Sequence, residues 1–424
     1  MTSQHFSDVR RELHELERRF EHFNQPLYLV GGAVRDMLLG RVDGPDRDLD
    51  LTTPARPDTI KLIVQNWADD VWTQGERFGT VGLRHDGRAI EITTHRADSY
   101  EPGSRKPIVA FGDSLHDDLA RRDFTINAMA FRLGLDGDII DPFGGRRDLA
   151  DRILRTPLAA DISFTDDPLR MLRAARFIAG FGCSPTSDLS QSARRLASRL
   201  DIVSNERIRD EFVKLIALEE PIAGLVFLIE SGLAERFLPE LAEIAADRLT
   251  VVATAARFAE PGVDVVRARL AALFDDSGAA RRRLRALKFS GDDVNAVSTI
   301  AAQASCVCDH VGEWTDPQVR RHLLSTGSLQ PEVHAVALAR AGIAAADALD
   351  ARITTLSKTE DVTALRSELS GDQVMAALGI RPGPHVGQAV RFLDELRLNE
   401  GQLGLSLATQ RLSDWWLISR KDLE

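Results

Sequence analysis

Cysteine is scarce in this chain, with three among 424 residues, Cys183, Cys306 and Cys308. An odd, widely spaced set excludes a disulfide framework and suits a reducing cytosol. No window has the uninterrupted apolar length that a membrane span needs. The opening MTSQHFSDVRRELHELERRF is charged throughout and is not a signal peptide. A soluble cytoplasmic protein with no membrane partner is therefore expected. Internal repeats and low-complexity tracts are missing too. An excess of positive charge is also lacking: the formal net charge is -11, which on average works against phosphate binding. The field depends on distribution, however, and arginines cluster, as at Arg281, Arg282, Arg283 and Arg285. A solvated helix face would also account for such a cluster. The apolar fraction of 44% is ordinary and allows a sizeable core without disulfides or metal staples.

Strand and helix signals mix in the first part of the chain. LYLV reads as a buried strand, Gly31-Gly32 as a tight turn and AVRDMLLG as a short helix closed by Gly40. DLDLTT, TVGLRH and AIEITTH read as strands, and RPDTIKLIVQNWA as a helix. From Thr165 onward helical periodicity takes over, as in DDPLRMLRAARFIAGF, NERIRDEFVKLIAL and PEVHAVALARAGIAAADALDARITTLSK. The pattern predicts an α/β head over residues 1–160, followed by an elongated all-α portion. That portion divides into a neck (161–237), a body (238–360) and a tail (361–424).

The chemistry concentrates around Gly31-Gly32-Ala33-Val34-Arg35-Asp36 and Asp48-Leu49-Asp50. Two carboxylates one residue apart on a strand share a face. Holding two anions that close calls for a cation between them, and hard oxygens favour Mg²⁺. Paired ions about 3.5–4 Å apart stabilise the attacking and leaving oxygens of a phosphoryl transfer. The Gly31-Gly32 turn lets backbone N–H groups approach a triphosphate, the helix behind it favours anions, and Arg35 adds a charge-assisted contact. Taken singly, each feature also has a bland explanation: a DxD occurs in many acidic surface strands. The order strand, GG turn, helix, DxD strand is far more specific.

That order resembles the nucleotidyltransferase superfamily with a polymerase-beta-like catalytic head. DLARRDFTINAMA, DPFGGRRDLADRILR, DDPLRMLRAARF and SNERIRDEFVKLI follow in sequence. Together they are similar to the class II tRNA nucleotidyltransferases and their bacterial poly(A) polymerase relatives, most clearly over residues 25–216. EWTDPQVRRHLL and MAALGIRPGPHVGQAVRFLDELRL resemble the body and tail of the same enzymes. The resemblance implies addition of the 3′-terminal CCA to tRNA from CTP and ATP, with two Mg²⁺ ions at Asp48 and Asp50 and no DNA partner. It also implies that Asp167 and Arg170 read the incoming base edge.

The residues make that base reading physically reasonable. Pro168 fits a first helical turn, placing Asp167 near its start with Arg170 three residues on. A carboxylate would accept from the amino group of cytosine or adenine, and the guanidinium would donate to the adjacent ring acceptor. Such a bidentate contact is worth about 1–3 kcal/mol of discrimination. A surface ion pair on a helix is the alternative. This chain has Asp166-Asp167 where the family usually has Glu-Asp. The resemblance places Arg122 and Asp123 at the incoming nucleotide and its ribose, with Asn127 as polar support. Arg173 and Arg176 could hold the triphosphate or pair with nearby carboxylates. Glu91 could bring a third carboxylate beside Asp48 and Asp50.

Relatives with a phosphohydrolase domain after the neck need a His-Asp pair. Residues 238–268 contain no histidine, and RLAALFDDSGAA has Asp275-Asp276 without one, so this stretch reads as a degenerate remnant. Cys306, Cys308 and His310 make a poor tetrahedral zinc set and read as buried small side chains. Trp415 and Trp416 read as helix packing. Between the motifs, RADSYEPGSRKPIVAFGDSLHDDLARRDF offers a flexible loop, which favours full CCA addition over addition of CC alone. Poly(A) synthesis, CC-only or A-only addition, and an inert RNA-binding scaffold are the rival readings. Oligomeric state is not encoded in any of these features.

Overall fold

A computed structural model describes residues 2–41, 49–100, 107–134, 138–243, 246–258 and 262–419. Asp48 lies outside the described residues. The chain forms two compact units, Met1–Ala242 and Glu243–Glu424. The expected boundary at 160 falls inside the first unit and that at 360 inside the second.

The first unit opens with helices α1 (Thr2–Glu12) and α2 (His14–His22), then strand β1 (Tyr28–Val30) and helix α3 (Gly32–Leu38). Strand β2 (Leu49–Thr53), helix α4 (Pro57–Val64) and strands β3 (Asp70–Trp72), β4 (Thr80–His85) and β5 (Arg88–Thr94) follow. Strands β6 (Arg96–Tyr100) and β7 (Pro107–Phe111) form a separate antiparallel ribbon. The sequence pattern of this stretch predicts a flexible loop. The two strands pair only with each other, so they need no apolar face shared with the main sheet. Helix α5 (Leu115–Ala120), strands β8 (Ala130–Arg132) and β9 (Ile139–Ile140), and helix α6 (Gly145–Ala150) complete the head.

Seven strands make one sheet in the order β3-β4-β5-β2-β1-β8-β9. Only β2 and β5 run parallel; the other pairs are antiparallel. One face carries Leu49, Leu51, Val81, Leu83, Ile90 and Ile92, packed with Leu13, Leu16, Phe20 and Ile60 into one core. The alternation that buries Leu49 and Leu51 turns Asp50 outward, and Glu91 likewise stands between buried Ile90 and Ile92.

Two-residue strands β10 (Ile153–Leu154) and β11 (Ser184–Pro185) pair in parallel around helices α7 (Ala160–Asp166) and α8 (Leu169–Phe181). Helices α9 (Ser187–Leu196), α10 (Asn205–Ile216), α11 (Ile222–Glu230), α12 (Ala234–Phe237) and α13 (Pro239–Ala242) close the unit. Gly224 of α11 presses on α8: a Cβ there would collide with the Ala175 carbonyl oxygen and lie 2.6 Å from Leu215 Cδ1.

The described part of the second unit is helical: α14 (Ala246–Arg257), α15 (Val265–Ala272), α16 (Ser277–Ala286), α17 (Gly291–Cys308), α18 (Asp316–Thr326), α19 (Gln330–Ala341), α20 (Ile343–Leu356), α21 (Gly371–Leu378), α22 (Pro384–Glu400) and α23 (Leu405–Ser419). The stretch read as one helical run from Pro331 divides at Gly342, whose φ of +79° interrupts it. Cys306 is exposed and Cys308 half-buried, which corrects the expectation that both are buried. They stand near the end of α17, and His310 stacks on Trp314 with centroids 3.8 Å apart. Trp415 stacks on Phe392 at 4.8 Å and joins the α21–α23 core. Asp276, one of the two acids in the degenerate stretch, caps α16 by accepting from the Gly278 and Ala279 amides. Glu360 bridges Arg320 and Arg397, and all three are nearly solvent-excluded. No helix among the described residues is long and apolar enough to cross a membrane.

Candidate active site

The open face of the sheet sets the geometry. Asp50 and Glu91 are register partners on parallel strands β2 and β5, both exposed. Beside them β1 ends in Gly31, with φ +71° and ψ -137°, a conformation that disfavours any side chain. A Cβ at Gly31 would lie 3.1 Å from Arg122 Nη1 and 3.7 Å from Asp50 Oδ2. The missing side chain therefore keeps open a corner where a carboxylate and a guanidinium meet the first turn of α3. Gly31, Arg122 and Asp50 are thereby brought together from three separate motifs.

Arg122 is held from behind. Asp118, fully buried, accepts from Arg121 at 2.6 and 3.1 Å and from Arg122 at 3.3 Å. Burial raises the Asp118 pKa, but the charges of Arg122 and Arg121 outweigh it and hold the group below its usual value. Neighbouring His95 is pushed down by burial, partly offset by Asp118. Asp118 escaped the sequence reading although it stands three and four residues before the two arginines, a helical pairing distance.

A second network runs from the head into α8. Arg35 donates to both Asp36 oxygens at 2.9 and 2.8 Å and to Asn127 Oδ1 at 2.7 Å. Its guanidinium carbon lies 4.3 Å from the Phe181 ring centroid. Arg35 is only 7% exposed. Three of its five N–H groups go to Asp36 and Asn127 and its plane meets Phe181 of α8, so Arg35 stands as a buried link between α3 and α8 rather than the open cation expected of a triphosphate contact. Asn127 Nδ2 donates to Asp123 Oδ1 at 2.9 Å, and Arg173 grips Asp123 Oδ2 through Nε at 2.9 Å and Nη2 at 2.7 Å. Burial would raise the Asp123 pKa. The Arg173 charge, with hydrogen bonds from Asn127 and Arg173, instead lowers it to about 2. Arg176 is paired with Glu211 of α10, and Arg173 Nη1 stands 3.8 Å from the same carboxylate. Of the two readings offered for Arg173 and Arg176, pairing with carboxylates is the one seen. Glu211, buried at 3% exposure, gave no sequence signal beyond its place on an amphipathic helix.

Asp167 and Arg170 sit at the junction of α7 and α8. Asp167 Oδ1 accepts from the Leu169 amide at 3.2 Å and Oδ2 from Arg207 at 3.4 Å. Arg170 does not pair with Asp167. It donates Nη1 to Ser163 Oγ at 2.8 Å and Nη2 to the Arg121 carbonyl at 2.6 Å. That second bond ties the end of α5, which carries Arg121 and Arg122, to α8. Both side chains remain part-exposed.

Among the described residues, one group of three potential metal ligands meets within 4.8 Å: Asp69, His85 and Asp86. It lies at the β3–β4 edge, with His85 stacked on Trp67, apart from the Asp50–Glu91 pair.

Comparison with known proteins agrees with this architecture. Residues 27–155 match the Poly A polymerase head domain, and residues 184–244 match a domain described as the probable RNA and SrmB-binding site of polymerase A. A CCA-adding enzyme of Geobacillus thermodenitrificans (strain NG80-2) is 37% identical over 71% of this chain and 72% of its own length. One from Latilactobacillus sakei subsp. sakei (strain 23K) is 35% identical over 87% of this chain and 88% of its own. The crystal structure of the Bacillus stearothermophilus CCA-adding enzyme in complex with CTP aligns with a TM-score of 0.73 at 29% identity, covering 96% of this chain and 97% of that one. By sequence, by fold and by the arrangement of its head, the chain belongs to the CCA-adding enzymes, a nucleotidyltransferase family.

Proposed function

We propose that the chain completes the 3′-terminal CCA of tRNA from CTP and ATP, releasing pyrophosphate at each step, with its reaction centre at Asp50 and Glu91. The observation that carries this reading is the convergence of Asp50, Arg122 and the side-chain-free Gly31 at one corner of the open sheet face. The incoming triphosphate takes the β1 side, where Gly31, the first turn of α3 and Arg122 supply backbone donors and a fixed cation. The tRNA 3′-hydroxyl must then approach from the opposite side, since attack at the α-phosphorus is in line with the departing pyrophosphate. Asp167 and Arg170 present acceptor and donor to the base edge, favouring cytosine and adenine over guanine and uracil, which show a carbonyl where the amino group should be.

The family generally uses divalent metal ions. Asp50 and Glu91, exposed side by side on adjacent strands, form a hard-oxygen donor pair that fits such an ion; Asp48, two residues earlier in the sequence, lies outside the described residues. Mg²⁺ is the ion that this donor set favours. When bound it would stabilise charge on the reacting phosphate oxygens. The protein's own part is positioning. Arg122 neutralises phosphate charge, the Arg35–Asn127–Asp123–Arg173 chain fixes α8, and Ser163 with the Arg121 carbonyl aims Arg170.

Asp50→Ala should reduce nucleotide incorporation at least a thousandfold while tRNA binding stays measurable. Arg170→Ala should blur the choice of CTP and ATP over GTP and UTP by about tenfold or more. Retained turnover in the first variant would remove Asp50 from the reaction centre. An unchanged nucleotide preference in the second would remove Arg170 from base reading.

A further inference from the structure

The row of register partners that holds the two carboxylates does not stop at Glu91. Asp50 on β2 faces Glu91 on β5, Glu91 faces Gly82 on β4, and Gly82 faces Trp72 on β3. Register partners share a face of the sheet, so all four positions point to the open side. Gly82 is the gap in this row, and Trp72 fills it. A Cβ on Gly82 would collide with the indole Nε1 and Cε2 of Trp72, so the ring lies flat over the glycine backbone instead of standing off the sheet edge. Trp72 is nonetheless only half-buried. One row over, Asp70 faces Arg84 and both are exposed, so the position diagonal to the ring carries a guanidinium whose register partner is a carboxylate.

We propose that Trp72, seated on Gly82, is a stacking platform for a base of the tRNA 3′ end as it lies across the sheet toward the reaction centre. The proposal rests on the assignment of Asp50 and Glu91 as that centre. The triphosphate side is the β1 side, so the acceptor strand must arrive over β5, β4 and β3. The ring stands three strand spacings from Asp50, about 14 Å, a span of a few nucleotides of single strand. An aromatic face beside a cation is the combination that holds single-stranded RNA without reading its sequence. Sequence tolerance is what this primer requires, because its last residues change with each addition.

Steady-state kinetics with tRNA lacking its CCA test this, with tRNA and CTP varied separately. Trp72→Ala should raise the KM for tRNA about five- to tenfold with the KM for CTP unchanged, and Trp72→Phe should recover most of the loss. Gly82→Ala, which evicts the indole from its seat, should reproduce the rise. A shielding role alone would lower the melting temperature and kcat without separating the two KM values. Quenching of tryptophan fluorescence by a short single-stranded RNA needs no turnover: wild type should lose a component that Trp72→Phe lacks. An unchanged tRNA KM in Trp72→Ala, or identical quenching in wild type and Trp72→Phe, overturns the platform. Failure of the Asp50→Ala test would instead overturn the reaction centre, so the two failures are distinguishable.

Discussion

At the scale of single residues, what distinguishes the site is how few of its charged groups are left to choose their own orientation. Asp123 is the pivot: it accepts from Asn127, from Arg173 and from the Phe124 amide. Its pKa is depressed to about 2, whereas an unfolded aspartate titrates near 3.9. The sign follows directly. Its contribution to stability, of order 2 kcal/mol, is present above about pH 4 and is lost as pH falls through about 2. Asp123→Asn should therefore lower the melting temperature at pH 5 and above, and the gap to wild type should narrow as pH approaches 2. Melting curves that stay parallel across that range would show that the ion pair is not what stabilises the junction. The acid–base vocabulary of this site was legible in the sequence; its pairing was not. Arg35 read as a phosphate contact because it follows the glycine turn, yet its acceptor Asn127 lies 92 positions away, a partner no local pattern reveals. Glu91 is a candidate third carboxylate from its strand alone, and the parallel register of β2 with β5 is what puts it beside Asp50.

At the scale of elements, strong periodicity was the reliable guide. Strands β1, β2, β4 and β5 stand where alternation or a buried apolar run placed them, since each has one face sealed on the same core. The β6–β7 ribbon escaped because it pairs only with itself. Close helix crossings are similarly hidden. Gly224 lets α11 reach the backbone of α8, the helix carrying Arg170 and Arg173. Gly224→Ala should cost about 1–3 kcal/mol by overpacking and lower the melting temperature by several degrees. Gly291→Ala, at a helical position with nothing within 4 Å, serves as the control and should leave stability nearly unchanged. Equal effects would mean that the α8–α11 contact relaxes freely.

At the scale of the whole molecule, an acidic chain works on an anionic substrate by concentrating its cations. Around the reaction centre Arg121 and Arg122 share Asp118, while Arg170 is held by neutral acceptors, Ser163 and the Arg121 carbonyl. The average charge of -11 therefore says little about the potential met by a triphosphate. The rival polymerisation outcomes differ in the length and composition of the product, which makes the central claim directly measurable. tRNA transcripts ending before CCA, after C and after CC would be incubated with Mg²⁺, CTP and ATP, and the products sized to single nucleotides. Extension of all three to a common CCA end, with no further growth, is the expected result. Long adenosine tails, or arrest at CC with ATP present, would contradict it.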